Sequence, residues 1–380
     1  VGSEMCIRDR LMATIRNKEI SKTGGVCLSF VAVLAIAAAT LFTSGKPVEE
    51  LSENAAVGRK SVITAAGATL PLPFYSEAFK MYWEKNDIPV TYAGIGTERG
   101  FRSLKNQQID FAGVDVPPTK AELDSLPVKS ILVPTCMGAV TIAYNLEGVD
   151  NLRLTGELIA DIYMGKILKW NDARIAAVNS GKQLPDKEIY PVFRLDGSGT
   201  TYIFSDYLTK VSTDWKAKIG TGKALTFPRG VAATGNTGVA GLVGKVPGAI
   251  GYVASEYAAS FNTQSAWLKN AAGNFVQPTS ESVTAAASVG DATGMITDSE
   301  VADAYPISCF TWVVLYKEQN YAGRSRSEAE EIVKLLEWLI SPEAQTITTQ
   351  VQCSPLPEKA VEYAKNMLKE VTYDGKALRK

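Results

Sequence analysis

Between Arg194 and Thr201 the chain reads Arg-Leu-Asp-Gly-Ser-Gly-Thr-Thr, which places one guanidinium, one carboxylate, two glycines and three hydroxyls together. These residue types suit a bare tetrahedral oxyanion. Glycine lets backbone N–H groups approach closely. Ser and Thr donate from a helix N-terminus, where unpaired N–H groups and the macrodipole already favour negative charge. Arginine adds a rigid fork of donors. An apolar stretch at helical spacing follows (Tyr202, Ile203, Phe204, Tyr207, Leu208). Taken alone, the same residues also describe an ordinary capped helix start after a loop.

Two further segments repeat the pattern. Ala65-Ala66-Gly67-Ala68-Thr69-Leu70-Pro71 leads into PFYSEAFKMYWEKN, where Phe74, Ala78, Met81 and Tyr82 fall on one helical face. Thr69 stands at the expected N-cap, with Pro71 in the first turn. Gly94-Ile95-Gly96-Thr97 leads into ERGFRSLKNQ, with Thr97 at the expected N-cap. A fourth segment, Asp110 to Pro117, is a short apolar strand that ends in the Asp115 carboxylate. Several such turns in one chain point helix N-termini at a shared site.

The order AGATLPLPFY, GIGT, DFAGVDVP, LIADIYMGKILKWND, R-x-DGSGTT and TGNTGVAGLVGKVPGAIGYV resembles the periplasmic phosphate-binding proteins of high-affinity phosphate ABC transporters, the PstS family. The resemblance runs from about residue 62 into the C-terminal region and is most specific over residues 134–256. It implies an α/β, two-lobe periplasmic-binding-protein fold (a type II Venus flytrap) whose hinge has two crossing strands, with phosphate buried in the cleft. It also implies the ligand set. Thr69, Leu70 (through its backbone N–H), Thr97 and Asp115 would come from one lobe. Arg194, Ser198, Gly199 and Thr200 would come from the other, with Asp196 holding Arg194 in an ion pair. The implied partners are inorganic phosphate and an inner-membrane ABC permease, with a monomeric protein, no cofactor, no metal and no nucleic acid.

The chemistry agrees with each role. Arg194 is permanently charged and can bond two oxygens at once. Asp115 is the odd member, because a carboxylate repels an anion unless that anion brings a proton to donate. Protonated phosphate has one, whereas sulfate near neutral pH does not, so Asp115 is expected to act as a phosphate-over-sulfate filter. The alternative for Asp115 is a plain strand-end cap. Another oxyanion such as sulfate or molybdate, and a membrane-tethered phosphate sensor, are the competing functions. Two departures from the family pattern stand out. Gly96-Thr97-Glu98-Arg99-Gly100 replaces a common Gly-Ser-Ser-Gly-Gly, and Leu70 replaces a common aromatic. Glu98 and Arg99 either face solvent and pair with neighbours or meet the cleft.

Composition argues for a binding module over an enzyme. The chain has no histidine, the commonest general base and metal ligand. Gly222-Lys223-Ala224 is not a phosphate-binding Walker loop, and Gly197-Ser198-Gly199 lacks the spacing of a nucleophile elbow. The five cysteines have no C-x-x-C spacing. A net charge of −1 leaves no nucleic-acid footprint.

Residues 1–11 (VGSEMCIRDRL) do not read as native sequence, and Met12 is the expected start. Residues 12–42 read as a secretory signal or an uncleaved membrane anchor, and 43–60 as a polar tether, which places the protein in the periplasm or otherwise outside the cytoplasm. The remaining ~320 residues fit two lobes. The expected lobes are 60–138 plus 310–380, and 139–309, with hinge crossings near Thr135–Ala139 and Ser308–Phe310. Short β-like runs (ILVPT, AVTIAYN, FTWVVLYK) alternate with helical ones. Ser327 and Glu330 are expected to form a capping box before Ile332, Leu335, Leu336 and Leu339. Cys136, Cys309 and Cys353 allow at most one bridge, with buried free thiols as the plainer alternative.

Overall fold

The computed structural model describes residues 62–287 and 292–379. The expected leader or anchor and the tether lie outside the described residues. Among those described, no helix is long and apolar enough to cross a membrane.

The chain alternates strand and helix from its first described element. Strand β1 (Ile63–Gly67) leads to helix α1 (Leu72–Asn86), β2 (Val90–Gly94), α2 (Thr97–Lys105) and β3 (Phe111–Val114). A 15-residue strand, β4 (Ser130–Tyr144), follows. The second half contains β5 (Tyr190–Arg194), α3 (Gly199–Val211), β6 (Val231–Ala233), α4 (Gly235–Lys245) and β7 (Ala249–Ala254). Strand β8 (Ser308–Tyr316) then returns beside β4.

One nine-stranded sheet runs in the order β2-β1-β3-β8-β4-β7-β5-β6, with the short strand Gln264–Ser265 also paired to β4. Around β1 the strands are parallel, and they are parallel again around β5. Each parallel set needs helical crossovers on its faces, which the alternating sequence supplies. Strand β4 joins the two sets: Ser130–Ala139 pairs antiparallel with β8, and Val140–Tyr144 pairs with β7. Pro134 cannot donate to a ladder, and the β4–β8 register shifts beside it, leaving Thr135 as the extra residue of a bulge. Thr135 makes use of the irregularity. Its hydroxyl bonds the Tyr75 hydroxyl at 2.7 Å and the Thr311 carbonyl at 3.2 Å. The fold is the two-lobe periplasmic-binding-protein fold, built on an α/β scaffold.

Each lobe buries its own aromatic cluster. In the first, Tyr75 stacks on Phe79 and meets Tyr92 edge-on. In the second, Phe204 of α3 stacks on Tyr252 of β7 with centroids 4.2 Å apart, and Tyr163, Trp215 and Phe227 close around them.

Local details differ from the sequence expectation. The buried face of α1 is Phe74, Tyr75, Ala78, Phe79 and Tyr82, whereas Met81 is exposed. The capping box forms two residues earlier than expected: Ser325 accepts from the Glu328 N–H, and Glu328 accepts from the Ser325 N–H at 2.7 Å. Glu330 instead pairs with Arg326 one turn back. The apolar face from Ile332 to Leu339 is buried as expected. Two of the expected β runs, ILVPT and AVTIAYN, are one continuous strand, because hydrogen bonding to β8 and then β7 carries β4 through both.

Helix α2 lies directly on the backbone of β1. A Cβ on Gly100 would come within 2.3 Å of the Gly67 Cα and 2.8 Å of the Ala66 carbonyl oxygen. Helix propensity alone would favour Gly100→Ala by about 1 kcal/mol. Backbone cannot yield as a side chain can, so the expected outcome is a destabilisation of about 2 kcal/mol, read as a lower urea midpoint. An unchanged or raised midpoint would contradict this contact.

Candidate functional site

The expected site residues arrive from both parallel sets of the sheet and meet at one place. Thr69 and Leu70 lie between β1 and α1, Thr97 opens α2, and Asp115 follows β3. Arg194 ends β5, and Ser198, Gly199 and Thr200 form the start of α3. A Cβ on Gly199 would sit 2.7 Å from the Asp115 Cβ and 2.9 Å from the Thr97 Oγ1. Only glycine allows the two walls this approach. Thr69, Thr97, Asp115, Arg194, Ser198 and Thr200 are all buried.

The hydroxyls are not used up in capping, which departs from the sequence expectation. Helix α1 has Pro71 at its N-cap with no side-chain cap bond, and Thr69 faces across the cleft instead. Thr97 is the first residue of α2 after a Gly96 N-cap, and its Oγ1 is buried with no hydrogen-bond partner among the described residues. Ser198 is a true N-cap, accepting from the Thr201 N–H at 3.2 Å. Its own proton remains free for another acceptor. Leu70 is fully buried, with its side chain over Gly138 of β4.

Arg194 is held at several points. Its Nε donates to Asp196 Oδ1 at 2.8 Å, its Nη2 donates to Asp196 Oδ2, and its Nη1 reaches Thr200 Oγ1 at 3.3 Å. Its backbone N–H donates to the Tyr252 hydroxyl, which also shares a hydrogen bond with Thr201. Asp196 Oδ1 further accepts the Gly235 N–H at 2.9 Å. Burial by itself would raise the Asp196 carboxyl, but the Arg194 hydrogen bonds and charge hold it below the ordinary carboxylate value.

Asp115 has the opposite balance. Burial pushes its carboxyl up to about 7, against smaller opposing pulls from the Thr311 hydroxyl, which donates at 3.2 Å, and from the Arg194 charge. The group is poised between accepting and donating a proton near neutral pH. Of the two charged departures, Glu98 is exposed but lays its carboxyl over Gly197 of the Arg194–Thr201 loop, where a Cβ would be 2.0 Å from Oε2. Arg99 is exposed.

The model of the PBP superfamily domain matches residues 44–343. A Pasteurella multocida protein named phosphate-binding protein PstS is 39% identical over 333 residues, which is 83% of this chain and 93% of that protein. A Xylella fastidiosa protein of the same name is 37% identical over 311 residues, 80% of this chain and 84% of that protein. The chain belongs to the PstS family. The fold agrees: a high-affinity periplasmic phosphate-binding protein solved with phosphate bound superposes with a TM-score of 0.66 at 20% identity, over 82% of this chain and 99% of that one.

Within this candidate site, several residues escaped the motif-based reading. Asn236, fully buried at the start of α4, donates from Nδ2 to Thr69 Oγ1 at 2.9 Å and to Thr200 Oγ1 at 3.4 Å. Tyr257 donates to the Thr69 carbonyl at 2.6 Å. Glu256 lies behind the site, with Oε1 accepting from the Cys353 thiol at 2.9 Å and Oε2 buried without a partner among the described residues. The Gly-Asn-Thr-Gly run did mark the Asn236 region, but nothing local says which side chain turns inward. Cys136, Cys309 and Cys353 are buried free thiols, so the bridge alternative is not formed.

Burial raises Glu256 from 4.5 to about 8. A carboxyl whose folded pKa lies above its unfolded one stabilises the fold while neutral. That stability is complete below the unfolded value and is lost as pH rises through the folded value. Glu256→Gln keeps the shape and stays neutral. In the absence of phosphate, wild-type unfolding free energy relative to this variant is therefore expected to fall by on the order of 3 kcal/mol between about pH 5 and pH 9. A flat difference in urea titrations across that range would show that Glu256 titrates normally.

Proposed function

We propose that this chain captures inorganic phosphate between its two lobes and delivers it to the permease of an ABC importer. It would work outside the cytoplasm as a monomer and without catalysing a reaction. The PstS relatives are named for phosphate binding, and the site has the chemistry for it. Thr69, Thr97, Ser198 and Thr200 supply hydroxyls. The Leu70 and Gly199 N–H groups and the N-termini of α2 and α3 supply backbone donors. Arg194, braced by Asp196, supplies the charge. The lobes would be 60–138 plus 310–380 and 139–309, hinged where β4 changes partners. Phosphate bonding both walls favours the closed form, because it gains contacts there that the open form lacks.

The observation that carries this reading is Asp115, a buried carboxyl at about 7 inside a set of donors. When ionised it accepts a hydrogen bond from the proton that phosphate carries. Sulfate has no proton to give, so two acceptors would face each other in a dry site, at a cost of several kcal/mol.

Titration calorimetry of the purified chain tests this. Phosphate is expected to bind at least ~100-fold tighter than sulfate at about pH 8, with the preference shrinking toward about pH 5 as Asp115 gains a proton that it can donate. Asp115→Asn carries a permanent donor and should admit sulfate with little pH dependence. Strong sulfate binding by the wild type at the higher pH would reject the filter and move the assignment to another oxyanion.

A further inference from the structure

We infer that Asn236 is the positioning residue that commits the Thr200 hydroxyl, and biases the Thr69 hydroxyl, to donate toward the bound anion, one from each lobe; this rests on the phosphate-capture reading above. A side-chain amide has a donor end and an acceptor end, and neighbours decide which way it faces. Here the direction is fixed by the backbone. The Ala254 N–H, a donor only, is 3.1 Å from Asn236 Oδ1, so Nδ2 must face the cleft. Its two protons go to Thr69 Oγ1 at 2.9 Å and Thr200 Oγ1 at 3.4 Å. None is left for a ligand, so Asn236 acts through the hydroxyls.

A hydroxyl has one proton and two acceptor positions. Thr200 Oγ1 receives from both Asn236 and Arg194 Nη1, so both acceptor positions are occupied and only its proton remains to be offered. Thr69 Oγ1 receives from Asn236, which likewise leaves its proton to point elsewhere. A free hydroxyl could turn either lone pair toward an anion; Thr200 cannot do so without breaking a buried hydrogen bond, and Thr69, with one acceptor position taken, has a single lone pair left to turn. The same amide ties Thr69 of the first lobe to Thr200 of the second, so the orienting works only when the lobes are together. The position of Asn236 is set in turn by Asp196, which holds the N–H of Gly235 next to it.

Aspartate at this position is nearly isosteric but only accepts. In Asn236→Asp both hydroxyls turn their protons to the new carboxylate and present lone pairs to the anion. Calorimetric titration with inorganic phosphate should then show a loss of about 100-fold or more. Asn236→Ala, which frees the hydroxyls without reversing them, should lose about 10-fold. Circular-dichroism melts establish that each variant is folded. If Asn236→Asp does not fold, the decision passes to a double-mutant cycle of Asn236→Ala with Thr69→Val. If Asn236 acts through Thr69, the two losses combine to less than their product; a purely structural role gives the full product and overturns the inference. Phosphate affinity in Asn236→Asp within about threefold of wild type would also overturn it while leaving phosphate capture intact. An absence of phosphate binding by the wild type would overturn both.

Discussion

The buried pair of Arg194 and Asp196 is the interaction on which the site depends. A guanidinium this deep is tolerated only with a partner that satisfies its fork, and Asp196 supplies two acceptor oxygens from two residues away. The pair leaves Nη1 turned toward Thr200 and the centre of the cluster. Asp196 also takes the N–H of Gly235, which fixes the start of α4 and with it Asn236. Its Oδ2 lies near Gly96, where an added Cβ would come within 3.0 Å, so the opposite lobe is shaped to the same carboxylate. One short loop therefore sets the charge, the orientation of the hydroxyls and the fit of the facing wall.

The facing wall answers with neutral donors and one poised carboxyl. Thr69 and Thr97 stand beside helix starts without serving as their caps, so their protons stay available. Asp115 is the acceptor in that wall, and burial keeps it from being a fixed repulsive charge. Contacts at the cleft rim join the lobes without depending on an anion. Lys223 pairs with Glu122 at 2.6 Å, and Glu98 lies on Gly197. Partly exposed charges of this kind contribute little to stability.

Behind the site, β4 and β8 join the two halves of the sheet through a buried region. The three thiols lie there, next to Glu256. Burial drives the Cys309 thiol well above its ordinary range. Hydrogen bonding with Cys136, together with burial, does the same for Cys353. Thiols held neutral in this way are poor nucleophiles and behave as small packing groups. The Pro134 bulge and the small Gly138, over which Leu70 packs, leave β4 its irregularity where the two half-sheets join.

The sequence by itself determined the class of chemistry. Gly-Ser-Gly-Thr after an Arg and an Asp, two more Gly-and-Thr turns and a strand ending in Asp115 are local patterns, and local patterns fix residue type, turn geometry and helix starts. They therefore revealed the α/β alternation, the Asp196 brace and eight candidate positions that the fold brings together. They misplaced the capping box by two residues and assigned Thr69 and Thr97 to caps, because a hydroxyl beside a helix start looks the same in sequence whether it caps or faces a cleft. The tertiary structure decided that difference. It also decided that two β runs join into one 15-residue strand, that Glu98 reaches Gly197, and that Asn236 stands between hydroxyls 167 and 36 residues away. The physical reason is that a hydrogen bond between distant segments has no period and no spacing. It exists only once packing has brought its donor and acceptors within reach.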